Sequence, residues 1–198
     1  EKFDSKGNFI LKWGAEGERN GEFNSPVCIA VDNEGDIYVS DIWNDRIQKF
    51  NNKGEFITKL DFHENYYTFL IRPTGITVGR DGYIYLVDEG SWIRKFSSSG
   101  NLIKKWMYKT FNMTQSQQIV IDSVGYIYIL STYQTDPTIF FEPSGVVPSN
   151  MLDYYSIIQK YDPNGNFADI IKKSTSRGSL DGQLADRAWG MAIDSKDN

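Results

Sequence analysis

The chain repeats itself, and that constrains its fold more than any other feature of its 198 residues. The template is IAVDNEGDIYVSDIWNDRIQKFNNKGEFITKL, residues 29–60. Its first half returns as ITVGRDGYIYLVD (76–88), as IVIDSVGYIYILS (119–131) and, cut short, as MAIDSKDN (191–198). Its second half returns as KFDSKGNFILKWG (2–14), KFSSSGNLIKKW (95–106) and KYDPNGNFADII (160–171). Recurrence at roughly 45 residues means that one supersecondary unit is used several times, each copy too small to bury both its faces alone.

Inside the template the apolar residues alternate. Ile29, Val31, Ile37 and Val39 are interleaved with Ala30, Asp32, Asp36 and Tyr38, which is the period of a strand and not of a helix. Gly-containing tetrads, Asn33-Glu34-Gly35-Asp36 and Asp4-Ser5-Lys6-Gly7 among them, punctuate the strands as tight turns. Each full unit therefore reads as four antiparallel strands, A to D; in the first they span 27–31, 37–40, 46–50 and 55–60. The predicted fold is all-β, a β-propeller of four-stranded antiparallel blades. About three blades are complete, with partial blades at both ends: a C–D hairpin at 1–14, blades at 27–60, 74–106 and 118–171, and the first strand of a further blade at 191–198. All of this is one domain, because a propeller is one domain whatever its blade number. The Gly-, Asn- and Ser-rich runs AEGERNGEFNSP and STSRGSLDGQLADRAWG link strand D of one blade to strand A of the next.

The third unit departs from the template. Between its B and C strands it carries an insertion, 131–156, with three of the chain's six prolines and a cluster of Phe and Tyr. A long loop inside a regular repeat is usually functional or disordered, and its aromatic content predicts an ordered, packed one.

Bulk properties exclude some classes of function. The formal charge is −5, and Lys and Arg are scattered among Asp and Glu, which argues against a phosphate-tracking nucleic-acid surface. The lone cysteine, Cys28, lies in the apolar run VCIAV and reads as a core thiol with no intrachain disulfide. No apolar run reaches membrane-spanning length.

The stretch GEFNSPVCIAVDNEGDIYVSDIWNDRIQKFNNKGEF (21–56) resembles an NHL repeat. The likeness weakens in the second unit, where Asp88 is kept but Ser91 and Trp92 replace the Asn-x-Arg element, and in the third, where Ser131 takes the Asp position. The resemblance implies a six-bladed propeller, which at this period needs roughly 270 residues; the remaining blades of the same propeller are then expected partners of these. Members of the family include RNA-binding regulators, sensor domains, surface proteins and a metal-dependent lyase whose zinc site draws on several histidines. His63 is the single histidine here, so these blades cannot build that site. Calcium-dependent propeller lactonases gather Asp, Asn and Glu oxygens at the channel mouth. Here Asp32, Asp122 and Asp194 sit in A–B turns and read as Asx caps, while Asp41 with Arg46 reads as a clamp on the B–C connection. No catalytic residue, metal ligand or cofactor is indicated, calcium at the channel included.

The binding reading has more support. In a propeller the D–A and B–C loops emerge on one rim. That rim would collect Trp43, Tyr66, Tyr67, Trp92, Tyr133, Phe140, Phe141, Tyr154 and Tyr155, large rigid groups that give contact area at small entropic cost. The expectation is a non-catalytic scaffold for a protein, peptide or carbohydrate partner. The alternative is a metal-dependent propeller hydrolase or lyase whose ligands lie in other blades. Acidic, Asn- and Tyr-rich blades without disulfides favour an exported or cell-surface module over a cytoplasmic one.

Overall fold

The computed structural model describes residues 1–61, 73–108, 113–134, 154–173 and 191–193. The chain divides into two compact units, Glu1–Lys105 and Trp106–Asn198. The blades of both are antiparallel sheets whose strands follow one another in sequence order.

The first unit opens with the expected hairpin, β1 (Lys2–Phe3) and β2 (Phe9–Leu11). The link that follows was expected to be plain loop, but it contains a short parallel pair, β3 (Ala15–Glu16) and β4 (Glu22–Phe23). The first complete blade is β5 (Pro26–Val31), β6 (Ile37–Asp41), β7 (Arg46–Phe50) and β8 (Phe56–Asp61). The second is β9 (Pro73–Val78), β10 (Ile84–Asp88), β11 (Trp92–Phe96) and β12 (Leu102–Met107), whose last two residues belong to the second unit. The four strands of the first blade match the sequence expectation to within a residue.

Turn chemistry explains why the strands end where they do. At the A–B turn of the first blade, Asp32 Oδ1 accepts the backbone N–H groups of Glu34 (3.0 Å) and Asp36 (2.9 Å), the predicted Asx cap. Asp122 does the same for Val124, Gly125 and Tyr126 in the third blade; Asp194 lies outside the described residues. The second blade has Gly79 at this position, and Asp81 takes over from two residues further on, accepting from Tyr83 N–H at 3.2 Å.

The two blades of the first unit pack face to face. Cys28, Tyr38, Ile47 and Leu60 of one meet Ile76, Ile84, Leu86 and Phe96 of the other, with Ala30 and Val78 at the margin. Fully burying such a side chain contributes about 1.5–3 kcal/mol, so this seam supplies most of what a lone blade lacks. Cys28 behaves as the sequence implied: its thiol donates to the Thr74 carbonyl (2.6 Å), and burial pushes its pKa up. On the other face of the first blade, Ile37, Val39 and Phe50 pack under Trp13, Phe23 and Phe56.

One contact recurs between successive repeats. The C–D turn glycines Gly54, Gly100 and Gly165 adopt positive φ and leave room for a large side chain from strand D of the repeat before them. A Cβ on Gly54 (φ +79°) would meet the Trp13 ring at 2.8 Å. In the second unit, a Cβ on Gly165 (φ +83°) would meet Trp106 at 2.6 Å. These glycines serve both the turn and the interdigitation.

Among its described residues the second unit holds, beyond the end of β12, one blade: β13 (Met113–Ile121), β14 (Ile127–Gln134), β15 (Tyr154–Tyr161) and β16 (Phe167–Lys173). All four of its strands are longer than their counterparts in the other blades, and the lengthened middle pair corrects the predicted insertion bounds. Residues 131–134 and 154–156 are paired strand and not loop, with Ser131 opposite Ile157 and Gln134 opposite Tyr154. The ladder runs on because β13 also lengthens, bringing Met113 opposite Tyr133 through two bulges. Residues 135–153, the remainder of the insertion, lie outside the described residues. Met191–Ile193 carry no strand. Residues 194–198, the rest of the expected strand, lie outside the described residues.

Candidate functional site

The B–C end of the first blade is the best defined stretch of the predicted rim. Strand β6 ends on Asp41, a 3-10 turn covers Ile42–Asn44, and Asp45 adopts a left-handed conformation (φ 48°) before β7 begins. Asp41 has no exposure at all and Arg46 is 4% exposed. The Arg46 Nε donates to Asp41 Oδ2 at 2.9 Å, the clamp read from the sequence.

The clamp reaches further than expected. The Arg46 guanidinium also donates to the carbonyls of Glu18 (2.8 Å), Arg19 (2.9 Å) and Glu22 (2.7 Å), all in the preceding D–A link. Asp41 Oδ1 accepts from the Asn24 N–H at 2.6 Å. Gln48, fully buried, donates to the Glu22 carbonyl (2.6 Å) and accepts from the Gly21 N–H (2.8 Å). Asn44 bridges Asp41 (2.8 Å) and the Gly17 carbonyl (3.0 Å). The buried guanidinium thus donates to three backbone carbonyls of a link 24–28 residues away, and the buried carboxylate accepts one of that link's N–H groups 17 residues away. Sequence reading missed Gln48 and Asn44; the only signal was that both lie inside the template's N-D-R-I-Q run.

The second blade keeps the pair by a different route. Trp92 stands at the Arg46 position, but Arg94, two residues along β11 and on the same face, returns its guanidinium to Asp88 Oδ2 (Nε 3.0 Å, Nη2 2.9 Å). The Asn-x-Arg element is absent there, as read from the sequence, but the ion pair it supports is kept. In the third blade Ser131, Thr132, Ser156 and Gln159 are buried in place of an ion pair.

The predicted rim aromatics fall into three groups. Trp43 sits on the 3-10 turn with 61% of its surface exposed, its backbone N–H bonded to the Asn24 carbonyl at 3.1 Å. Trp92 begins β11 half-buried, with the Lys105 ammonium 5.7 Å from its ring centroid. Tyr133 and Tyr155 are direct cross-strand partners on the lengthened ladder of the second unit, and Tyr154 follows opposite Gln134. Tyr66, Tyr67, Phe140 and Phe141 lie outside the described residues. Beside the clamped link runs an open groove of about 380 Å³ walled by Trp13, Phe23, Glu16 and Pro26.

The opposite, A–B turn side carries a repeated polar stack. Lys49, Lys95 and Lys160 each lie over the tyrosine ring directly across the ladder, at 5.1 Å from Tyr38, 5.0 Å from Tyr85 and 5.4 Å from Tyr128. Lys49 also pairs with Asp36 (2.8 Å) and Asp32 (3.4 Å). Burial opposes the charge on both partners. Even so, hydrogen bonds and the opposite charge prevail, holding the Asp32 carboxyl below its ordinary range and the Lys49 ammonium above its own. A cleft of about 490 Å³ opens here, lined by Asp32, Glu34, Lys49, Arg80 and Asp81 among others. Among the described residues no three His, Cys, Asp or Glu side chains group to hold a metal ion.

Residues 23–50, which contain the whole clamp pair, match the family profile of the NHL repeat. The chain carries an NHL repeat. Its blades share 32% identity over 107 residues with Protein brain tumor of Drosophila melanogaster, covering 52% of this chain and 10% of that protein. They share 29% over 114 residues with the probable peptidyl-alpha-hydroxyglycine alpha-amidating lyase pgal-1 of Caenorhabditis elegans, covering 54% and 32%. Human E3 ubiquitin-protein ligase TRIM32 is 46% identical over 46 residues, 23% of this chain and 7% of that protein. The chain thus spans a third or less of the length of each of these relatives. Among solved structures, virginiamycin B lyase from Staphylococcus aureus superposes with a TM-score of 0.55 at 15% identity, covering 85% of this chain and 46% of that one. The RRP9 WD40 repeats superpose with 0.53 at 9% identity, covering 80% and 42%. At such identities the likeness shows the propeller fold alone.

Proposed function

We propose that these NHL blades act as a non-catalytic binding scaffold that engages a protein, peptide or glycan through the aromatic B–C and D–A rim. The observation that carries this reading is Trp43. A large indole stands 61% exposed on a turn whose flanking residues are locked by a buried polar network. Exposed aromatics on pre-ordered backbone bind at low entropic cost. The relatives that include a ubiquitin-protein ligase agree with a module that addresses other proteins. The lengthened ladder that pairs Tyr133 with Tyr155 adds a second aromatic pair at the B–C end of a blade. The test compares partners captured by the native chain with those captured by Trp43→Ala and by a chain lacking residues 135–150. Selective loss in either variant, with the blades still folded, supports the reading; an unchanged partner set in both sinks it.

The alternative, a metal-dependent propeller lyase or hydrolase with ligands in other blades, is favoured by the alignment to the amidating lyase over 54% of this chain. Elemental analysis of the purified protein separates the two. Stoichiometric zinc or calcium would replace the scaffold reading.

A further inference from the structure

Charged residues on the strands of the first unit's two complete blades sort by position. On the first three strands of each they are neutralised in place: Arg46 by Asp41, Arg94 by Asp88, Lys49 by Asp36 and Asp32, Lys95 by Asp81. The fourth strands, β8 and β12, differ. They hold Lys59, Lys104 and Lys105 against one acid, Asp61. Three lysines against one aspartate put a formal +2 on two strands of a chain whose total is −5.

Both strands lie on one side of the stacked pair. Strands β5 and β9 adjoin at the opposite edge of their sheets. Leu60 of β8 packs into the space at Gly100, in the turn that leads into β12. The lysines are interleaved with uncovered aliphatics, for Ile57 is 46% exposed, Leu102 37% and Ile103 54%. Each blade has all four of its strands. The second unit repeats the combination on its own fourth strand: β16 exposes Ile171 and ends on Lys172-Lys173, with Asp169 its one acid.

Ile57 stands at a bulge. Lys49 pairs with Thr58 and Phe50 with Phe56, which leaves Ile57 opposite no residue. A bulge twists an edge away from the flat geometry that a further strand needs, so β8 offers side chains more readily than ladder groups. Protein interfaces favour Arg and are poor in Lys, whereas β8 and β12 together hold three lysines and no arginine. Flexible ammonium groups beside short aliphatics suit a lipid surface instead. There the cations meet phosphate headgroups and the aliphatics enter the headgroup boundary.

We infer that the outer strands β8 and β12 form an adhesion surface for an anionic phospholipid bilayer. The contact is peripheral and reversible, because so few lysines and aliphatics fall short of the two signals that stable anchoring takes. It uses the outer edge of the sheets and is independent of the aromatic rim proposed above.

The test sediments the purified chain with vesicles of phosphatidylglycerol and phosphatidylcholine in equal parts, and with vesicles of phosphatidylcholine alone. Lipid-dependent pelleting is expected on the anionic vesicles only, and it should vanish between about 0.05 and about 0.5 M salt as the charges are screened. Each lysine lost near such a surface weakens partitioning about fivefold, so Lys104→Gln combined with Lys105→Gln should lower it about 25-fold. Ile103→Ser should weaken it at least about threefold and leave the unfolding midpoint nearly unchanged, because the side chain is 54% exposed. Arg19→Gln removes an exposed cation from the D–A link; it is the control and should bind like the native chain. No pelleting on anionic vesicles, equal pelleting on both lipids, or equal weakening by Arg19→Gln and Lys104→Gln overturns the assignment. So does retention on immobilised polyglutamate with the same lysine dependence and no vesicle binding, which would make an acidic protein the occupant.

Discussion

Replacing Arg46 by methionine tests how much the D–A link depends on one side chain. The substitution keeps an unbranched apolar stem but removes four hydrogen bonds, one to Asp41 and three to the carbonyls of Glu18, Arg19 and Glu22. It leaves the Asp41 carboxylate with no exposure and no counter-charge. Removing one partner of a buried ion pair costs about 3–5 kcal/mol, most of it from the charge left behind. Asp41→Asn keeps an acceptor for the Asn24 N–H and should cost less, about 1–3 kcal/mol. The double variant should cost less than the sum by about 1–3 kcal/mol, because the stranded charge is gone. Since the chain falls into two compact units, a single unfolding midpoint would mix them. Native-state hydrogen exchange at Val39 and Ile47 reads the local opening energy of this blade instead. The Trp43 indole should become more mobile in the same variant, because its backbone is tied to Asn24 and Asn24 to Asp41. A loss below about 1 kcal/mol in Arg46→Met, with Trp43 anisotropy unchanged, would refute the reasoning: water would then be solvating the link as well as the guanidinium does.

Two further outcomes follow from the fold. Gly54→Ala should destabilise more than Gly7→Ala in thermal unfolding, although both positions have positive φ (+79° and +83°). Gly7 has nothing within 4 Å and suffers only backbone strain, about 1–2 kcal/mol, whereas Gly54 adds a Trp13 collision and about 1–3 kcal/mol of overpacking; equal effects would mean that Trp13 yields freely. Acid titration should expose the Asp32 stack. Its folded pKa lies below the ordinary value of 3.8, so its stabilisation is complete above that pH and fades as pH falls through the folded value. Asp32→Asn should therefore flatten the acid limb of stability for this blade, and an unchanged limb would count against the stack.

Much of the fold was legible because strands and turns are local. Alternation in residues 29–39 and a Gly-bearing turn every dozen residues place β5 to β8 almost to the residue. Whatever rests on contacts distant in sequence was not legible. The Asp41–Arg46 pair could be read from its template, but its true load, the backbone of residues 18–24, lies up to 28 positions away and leaves no pattern. The pairing of Arg94 with Asp88 escaped a motif search because a shift of two residues preserves the face and destroys the spacing. The paired stem of the insertion was hidden because Ser-Thr-Tyr-Gln reads as polar loop, until a facing Tyr-Tyr-Ser gives it a ladder.

That stem has a consequence for how such a chain can change. Gln134 and Tyr154 are cross-strand neighbours, so the segment between them starts and finishes within a few ångströms, whatever its sequence. Doubling the length of a flexible loop closed in this way costs only about 0.6 kcal/mol. By closure entropy alone, added length at this position costs the blade little. The position is in effect an interchangeable cassette on a fixed mount, where new sequence can be tried at little risk to the scaffold, by selection or by an engineer.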